Sequence, residues 1–167
     1  MRPDVALILR DGLIESGVDF AASLPEKNLE PFVALLREDI RVLHVPLARE
    51  EEGIGICTGA YLGGRTPCMV MMNAGFLTCV NALTLAAQYA QIPMLLIIGN
   101  NGGFGEQYLM HTPLARATAP VLDAVRIPTR VVTEPEMAKG AIADSMSLVQ
   151  SSRLPVAIVL DGACLRD

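Results

Sequence analysis

The chain has 167 residues, 51% of them hydrophobic, with no Trp, few aromatics and a net charge of −5. That length is enough for one domain with a sizeable core, here aliphatic rather than aromatic. The acidic balance, with no Lys/Arg cluster, argues against a nucleic-acid partner, and no apolar run approaches the roughly 20 residues of a membrane span.

The first residues, MRPDVALILRDGL, break their apolar stretch with Asp4, Arg10 and Asp11, which is not the pattern of a signal peptide. From Asp4 to Ser16, Val5, Leu9 and Leu13 recur at helical steps, and Gly17 is a stop. A strand is expected over 18–24 (VDFAASL), then a turn from Pro25 into a helix over about 28–38, and a second strand over 40–45 (IRVLHV). The segment Pro46–Gly64 reads as a helix with glycines at 53, 55, 59, 63 and 64 behind three acids. A strand over 67–72 (PCMVMM), a helix over about 76–90 and a strand over 93–99 (PMLLIIG) follow. After a long loop, NNGGFGEQYLMHTP, come a helix near 114–125, a strand over 129–133, a helix near 135–151 and a last strand over 155–161.

This alternation predicts a three-layer α/β/α domain spanning 1–167, with a mostly parallel, flavodoxin-like sheet of six strands. Ligands of such sheets sit beyond the carboxyl ends of the strands. The loops that matter are therefore those starting near Leu24, Pro46, Asn73 and Asn100. The four cysteines (57, 68, 79 and 164) form no C-x-x-C pair and have no histidine at metal spacing. They are expected to be small buried hydrophobes in a reducing cytoplasm, and no metal site is expected in this chain.

Glycine costs about 1 kcal/mol relative to alanine inside a helix, so the glycine stripe needs a reason. At 100° per residue, Glu51 shares a face with Gly55, Gly59 and Leu62. Ile54, Cys57 and Tyr61 form the apolar face, with Glu50 at its edge and Glu52 pointing away. Carboxylates in a first helical turn also complement the helix dipole, which is a sufficient role for Glu50 and Glu52. For Glu51 the wheel leaves both roles open.

The segment resembles the pyrimidine-binding domain of thiamine-diphosphate enzymes, in which a glutamate precedes a Gly/Ala–Tyr pair by nine and ten residues. Here Glu51 stands ten before Tyr61, with Ala60 preceding the tyrosine. YAQIPMLLIIG (89–99) and NAGFLTCVNAL (73–83) are similar to segments of the phosphonopyruvate/sulfopyruvate decarboxylase family, and the likeness runs through nearly the whole chain. It implies that Glu51 shares a proton with the aminopyrimidine of thiamine diphosphate, and that Asn73, Gly75 and Phe76 help to bind that ring. Asn81 also matches the pattern, and could equally cap or bridge helices.

In the first-strand loop, the likeness puts Pro25 and Asn28 near a substrate carboxylate. Lys27 is placed to pair with an anionic 2-oxo acid. His111 shares the long loop with Glu106 and Gln107, where the family places a proton-transfer group. His44, within an apolar strand, is expected to be a core or edge residue. The Gly-Asp-Gly motif that grips diphosphate and Mg2+ in the family's other domain is missing. The only Asp-Gly pairs are Asp11-Gly12 and Asp161-Gly162, and neither follows a glycine. The resemblance thus implies half an enzyme: a decarboxylase subunit whose partner, a beta chain, holds the diphosphate and Mg2+. Self-association through the glycine-striped helix is also expected. A carboligase subunit and a non-catalytic ligand-binding module are the alternatives.

Overall fold

The computed structural model describes residues 1–24, 26–103 and 105–165. The chain begins with α1 (Pro3–Glu15), β1 (Phe20–Ser23), α2 (Glu30–Glu38), β2 (Leu43–Pro46) and α3 (Glu50–Leu62). It continues through β3 (Pro67–Met72), α4 (Asn73–Ala82), β4 (Leu95–Gly99), α5 (Thr112–Ala124), β5 (Thr129–Val132), α6 (Pro135–Ser152) and β6 (Val156–Leu160). Every neighbouring strand pair is parallel, in the order β2-β1-β3-β4-β6-β5.

The inner strands β3, β4 and β6 are apolar throughout because the sheet is covered there on both sides. Alternate residues of one strand point to opposite faces. Ala21, Cys68, Val70, Leu95 and Ile97 enter one core with α1, α2 and α6. Ala22, Met69, Met71, Leu96 and Ile98 enter the other with α3, α4 and α5. The expected six-stranded, three-layer architecture is therefore the observed one.

Several boundaries differ from the sequence expectation by two residues or more, among them the starts of β2, α2 and α4. β2 starts at Leu43 rather than residue 40, because the Asp39 carboxylate accepts the Arg41 amide at 3.0 Å and turns the chain there. Ile40 is left fully exposed in that turn. α2 starts at Glu30, so Lys27 and Asn28 lie in the preceding turn. α4 starts at Asn73 directly after β3, and its far end passes into a π-helical stretch, Leu83–Tyr89. Asn73, Gly75 and Phe76 therefore sit in the first turn of a helix, not in a loop.

The glycines of α3 fall into two kinds. A Cβ on Gly53 would lie 2.5 Å from Met69 Sδ and 2.6 Å from a Leu47 methyl carbon, whereas a Cβ on Gly55 or Gly59 would meet open space. Gly53→Ala should therefore cost about 1–3 kcal/mol by overpacking. Gly59→Ala should stabilise the isolated chain by up to about 1 kcal/mol through helix propensity. Urea melts of the two variants check this, and equal effects would contradict the packing described.

Candidate active site

The chain runs from β1 out to β2 and returns to β3 on the other side of β1. That reversal opens a crevice at the carboxyl ends of the strands, the usual ligand position in open α/β sheets. α3 and α4 both begin there, one after β2 and the other after β3.

The acids heading α3 divide by direction. Glu50 turns toward α4: a Cβ on Gly75 would run into its carboxyl group, so only glycine permits this approach. Glu51 turns outward and pairs with Arg49 at 2.8 Å, its side chain 37% exposed. Glu52 is exposed. The carboxyl that the fold brings against the start of α4 is thus Glu50's, whereas Glu51 lies on the face of Gly55 and Gly59 where the helix wheel put it. The physical reason is the edge position of Glu50 on the Ile54–Cys57 face, which is buried against the sheet. Spacing points the other way, since residues nine and ten after Glu50 are Gly59 and Ala60, and only Glu51 stands ten before Tyr61. Burial, with the neighbouring charges of Glu50 and Glu51, raises the Cys79 thiol to about 12 and leaves it inert.

Asn73 is completely buried. Its amide nitrogen donates to the Asn101 carbonyl at 2.8 Å and to Asn100 Oδ1 at 3.2 Å. Its Oδ1 is the buried side-chain polar atom left without a partner among the described residues, and such an atom calls for a donor. The network continues outward. Asn100 Nδ2 donates to Asp161 Oδ2 at 2.8 Å, Asn28 Nδ2 to Asn101 Oδ1 at 2.8 Å, and Asn101 Nδ2 to Glu26 Oε1 at 3.2 Å. Side chains following β1, β3, β4 and β6 are locked together in this way. Of these residues, sequence reasoning singled out only Asn28 and Asn73. The remainder were signalled only by their places at carboxyl ends of strands.

A cleft of about 580 Å³ lies beside this network, lined by Glu26, Lys27, Asn28, Glu106, Tyr108 and His111 among others. The structure therefore brings Lys27, Asn28 and His111 to one cleft, with Lys27 exposed. Glu106 Oε1 accepts the amides of Gln107 and Tyr108 at 2.8 and 3.0 Å. Its Oε2 accepts the Gly102 amide at 2.9 Å and lies 2.9 Å from His111 Nδ1. The Tyr108 amide, with smaller contributions from His111 and the Gln107 amide, holds Glu106 down to about 2 against an ordinary 4.5, so it is ionised at neutral pH.

Phe76 and Asn73, the two side chains expected to help bind the ring, are both buried in this chain. Phe76 is wholly buried in the core it shares with α3 and offers no free face to a ring. Asn73 braces the loop after β4 through its amide nitrogen. Pro25 lies outside the described residues. His44 stands on the edge strand β2 with Nε2 2.8 Å from Ser23 Oγ, and burial and the nearby Arg37 lower its pKa. Asn81 is exposed near the end of α4.

The residues present fit the pyrimidine end of a thiamine cofactor. A carboxyl group capable of sharing a ring proton, that of Glu50, rests on a glycine at the crevice, and Glu51 heads the strip of Gly55 and Gly59, where a Cβ would meet open space. They do not fit a diphosphate-bound cation. Among the described residues, no group of three or more His, Cys, Asp or Glu side chains could hold a metal ion.

Sheet order and crevice together define the class, a three-layer α/β/α domain of the pyrimidine-binding type. No protein-family model matches the chain. It is 39% identical over 149 residues to the sulfopyruvate decarboxylase subunit alpha of Methanococcus maripaludis, covering 89% of each chain. It is 36% identical to the corresponding subunit of Methanocaldococcus jannaschii, over 93% of this chain and 92% of that one. A phosphonopyruvate decarboxylase of Streptomyces viridochromogenes is 30% identical over 67% of this chain and 28% of its own length. In fold, the chain superposes on a 2-oxoglutarate:ferredoxin oxidoreductase of Magnetococcus marinus with a TM-score of 0.77. That likeness has 19% identity and covers 99% of this chain and 30% of the other. The chain belongs to the family of sulfopyruvate decarboxylase alpha subunits.

Proposed function

We propose that this chain, as one pyrimidine-binding domain over 1–167, is the alpha subunit of a two-chain, thiamine-diphosphate-dependent decarboxylase acting on sulfopyruvate. The observation that carries the reading is the carboxyl of Glu50 seated on Gly75 at the switch point of the sheet, in a chain 39% identical to such a subunit. Bound thiamine diphosphate supplies the electron sink for loss of carbon dioxide from a 2-oxo acid. This chain's part is to hold a proton at the Glu50 carboxyl, orient the ring over α3, and bind the substrate's anionic groups in the Lys27–His111 cleft.

Glu51 was singled out by its spacing to Ala60–Tyr61, and Glu50 is favoured by its packing. Variants of both residues decide between them. Gly75 serves by letting the acid approach. Diphosphate and Mg2+ belong in this reading to a beta chain carrying the Gly-Asp-Gly motif. The exposed Gly55, Gly59 and Leu62 strip of α3 is the surface for self-association. We place the enzyme in the cytoplasm, in keeping with its four free, buried cysteines. Among the described residues, no helix is long and apolar enough to cross a membrane.

Sulfopyruvate carries a sulfonate besides its carboxylate, so a cation in the cleft discriminates it from pyruvate. Lys27→Ala in the complete enzyme should raise KM for sulfopyruvate about tenfold or more, in line with about 1.5–3 kcal/mol for a charge-assisted contact. KM for pyruvate should change much less. Steady-state kinetics with both substrates test this, and equal effects would return Lys27 to the solvated surface.

A further inference from the structure

Residues 102–103 and 105–111 gather around one carboxylate. Glu106 accepts three backbone amides, those of Gly102, Gln107 and Tyr108, and its side chain is only 11% exposed. Gly102 has φ +104, and a Cβ there would collide with the His111 carbonyl. The start of the loop is therefore pressed against its end. The imidazole of His111 is enclosed on two sides, with the Glu106 carboxylate at Nδ1 and the Tyr108 ring edge-on at a centroid distance of 5.4 Å.

A carboxylate only accepts hydrogen bonds, so the 2.9 Å contact requires Nδ1 to carry the hydrogen. The neutral ring then presents the Nε2 lone pair. Among the described residues no side chain or backbone group takes Nε2, and the His111 side chain keeps 21% exposure at the cleft that also holds Lys27 and Glu26. Glu26 does not compete for the imidazole. Its carboxylate accepts the Asn28 and Leu29 amides and the Asn101 side chain.

We propose that Glu106 is the positioning residue for His111: it fixes the Nδ1–H tautomer and the ring orientation, so that Nε2 faces the cleft as the nitrogen that exchanges a proton with the substrate. This rests on the reading that His111 serves the reaction. It adds a carboxylate–imidazole pair in which the acid acts through the ring, its two oxygens already taken by three backbone amides and His111. Such an acid controls which nitrogen is basic, and a neutral replacement allows the wrong tautomer.

Only two histidines occur in the chain, so nitrogen-15 spectra of the imidazoles resolve them readily. Spectra of the full chain are recorded in a buffer alkaline enough to keep histidine neutral, for wild type, Glu106→Gln and Glu106→Asp. The expected wild-type signature for His111 is Nδ1–H. In Glu106→Gln, whose amide can donate to Nδ1, it should shift toward Nε2–H, whereas Glu106→Asp should restore part of the Nδ1–H population. In the complete enzyme, Glu106→Gln should lower kcat about tenfold or more with KM changed less than about twofold.

A wild-type Nε2–H signature, or an unchanged tautomer in Glu106→Gln, would overturn the proposal. So would a Glu106→Gln enzyme that only melts earlier, since Glu106 would then be a loop tie. Failure of the underlying reading looks different: His111→Gln would leave kcat at the wild-type value whatever the spectra show.

Discussion

Glu50→Gln should lower turnover of the complete enzyme by about two orders of magnitude or more, a typical scale for losing an acid–base group. The substitution keeps the shape that rests on Gly75 and removes only the shareable proton. Cofactor binding should accordingly weaken less than kcat falls. Glu51→Gln and Glu52→Gln should be mild, because Glu51 faces outward to Arg49 and Glu52 is exposed. Hydrogen–deuterium exchange at thiazolium C2 of the bound cofactor separates the chemical step from later ones. Slow exchange in Glu50→Gln alone is the expected result. A large loss in Glu51→Gln with a mild Glu50→Gln would return the role to the acid that spacing to Tyr61 first indicated.

The choice between Glu50 and Glu51 turns on packing as well as on spacing. The strands were legible because a sheet covered on both faces needs apolar runs such as PCMVMM and PMLLIIG, whichever partners they have. The direction of Glu50 depends on about 100° of helix rotation and on how α3 settles on Met69 through Gly53. The helix alone gives the edge position of Glu50, and not how closely α3 settles on the sheet. Asn73 was visible as a strand end, but its bonds to Asn100 and Asn101 join residues 27 and 28 positions apart. The direct passage from β3 into α4 was also hidden, since Asn73 is as good a loop residue as a helix starter. Phe76, expected at the start of a helix from about residue 76, lies in the first turn of α4 and points into the core. By contrast, Glu106 and His111 are five residues apart in one loop, and proximity in sequence became contact in space.

The larger consequence concerns the whole molecule. Purified alone, the chain should fold, since two apolar cores flank its sheet, yet neither decarboxylate sulfopyruvate nor bind thiamine diphosphate tightly. The pyrimidine end finds a carboxyl and some apolar surface. The diphosphate with its Mg2+ needs several oxygen ligands, and the described residues gather no such set. Relatives that cover most of this chain are named as subunits, so a second chain is part of the enzyme. Isothermal titration of thiamine diphosphate with Mg2+ into this chain, then into its mixture with a partner bearing the Gly-Asp-Gly motif, tests this most directly when carbon dioxide release is followed in parallel. Binding and carbon dioxide release should appear together, only in the mixture; tight binding or decarboxylation by the isolated chain would contradict the assignment of half a site to it.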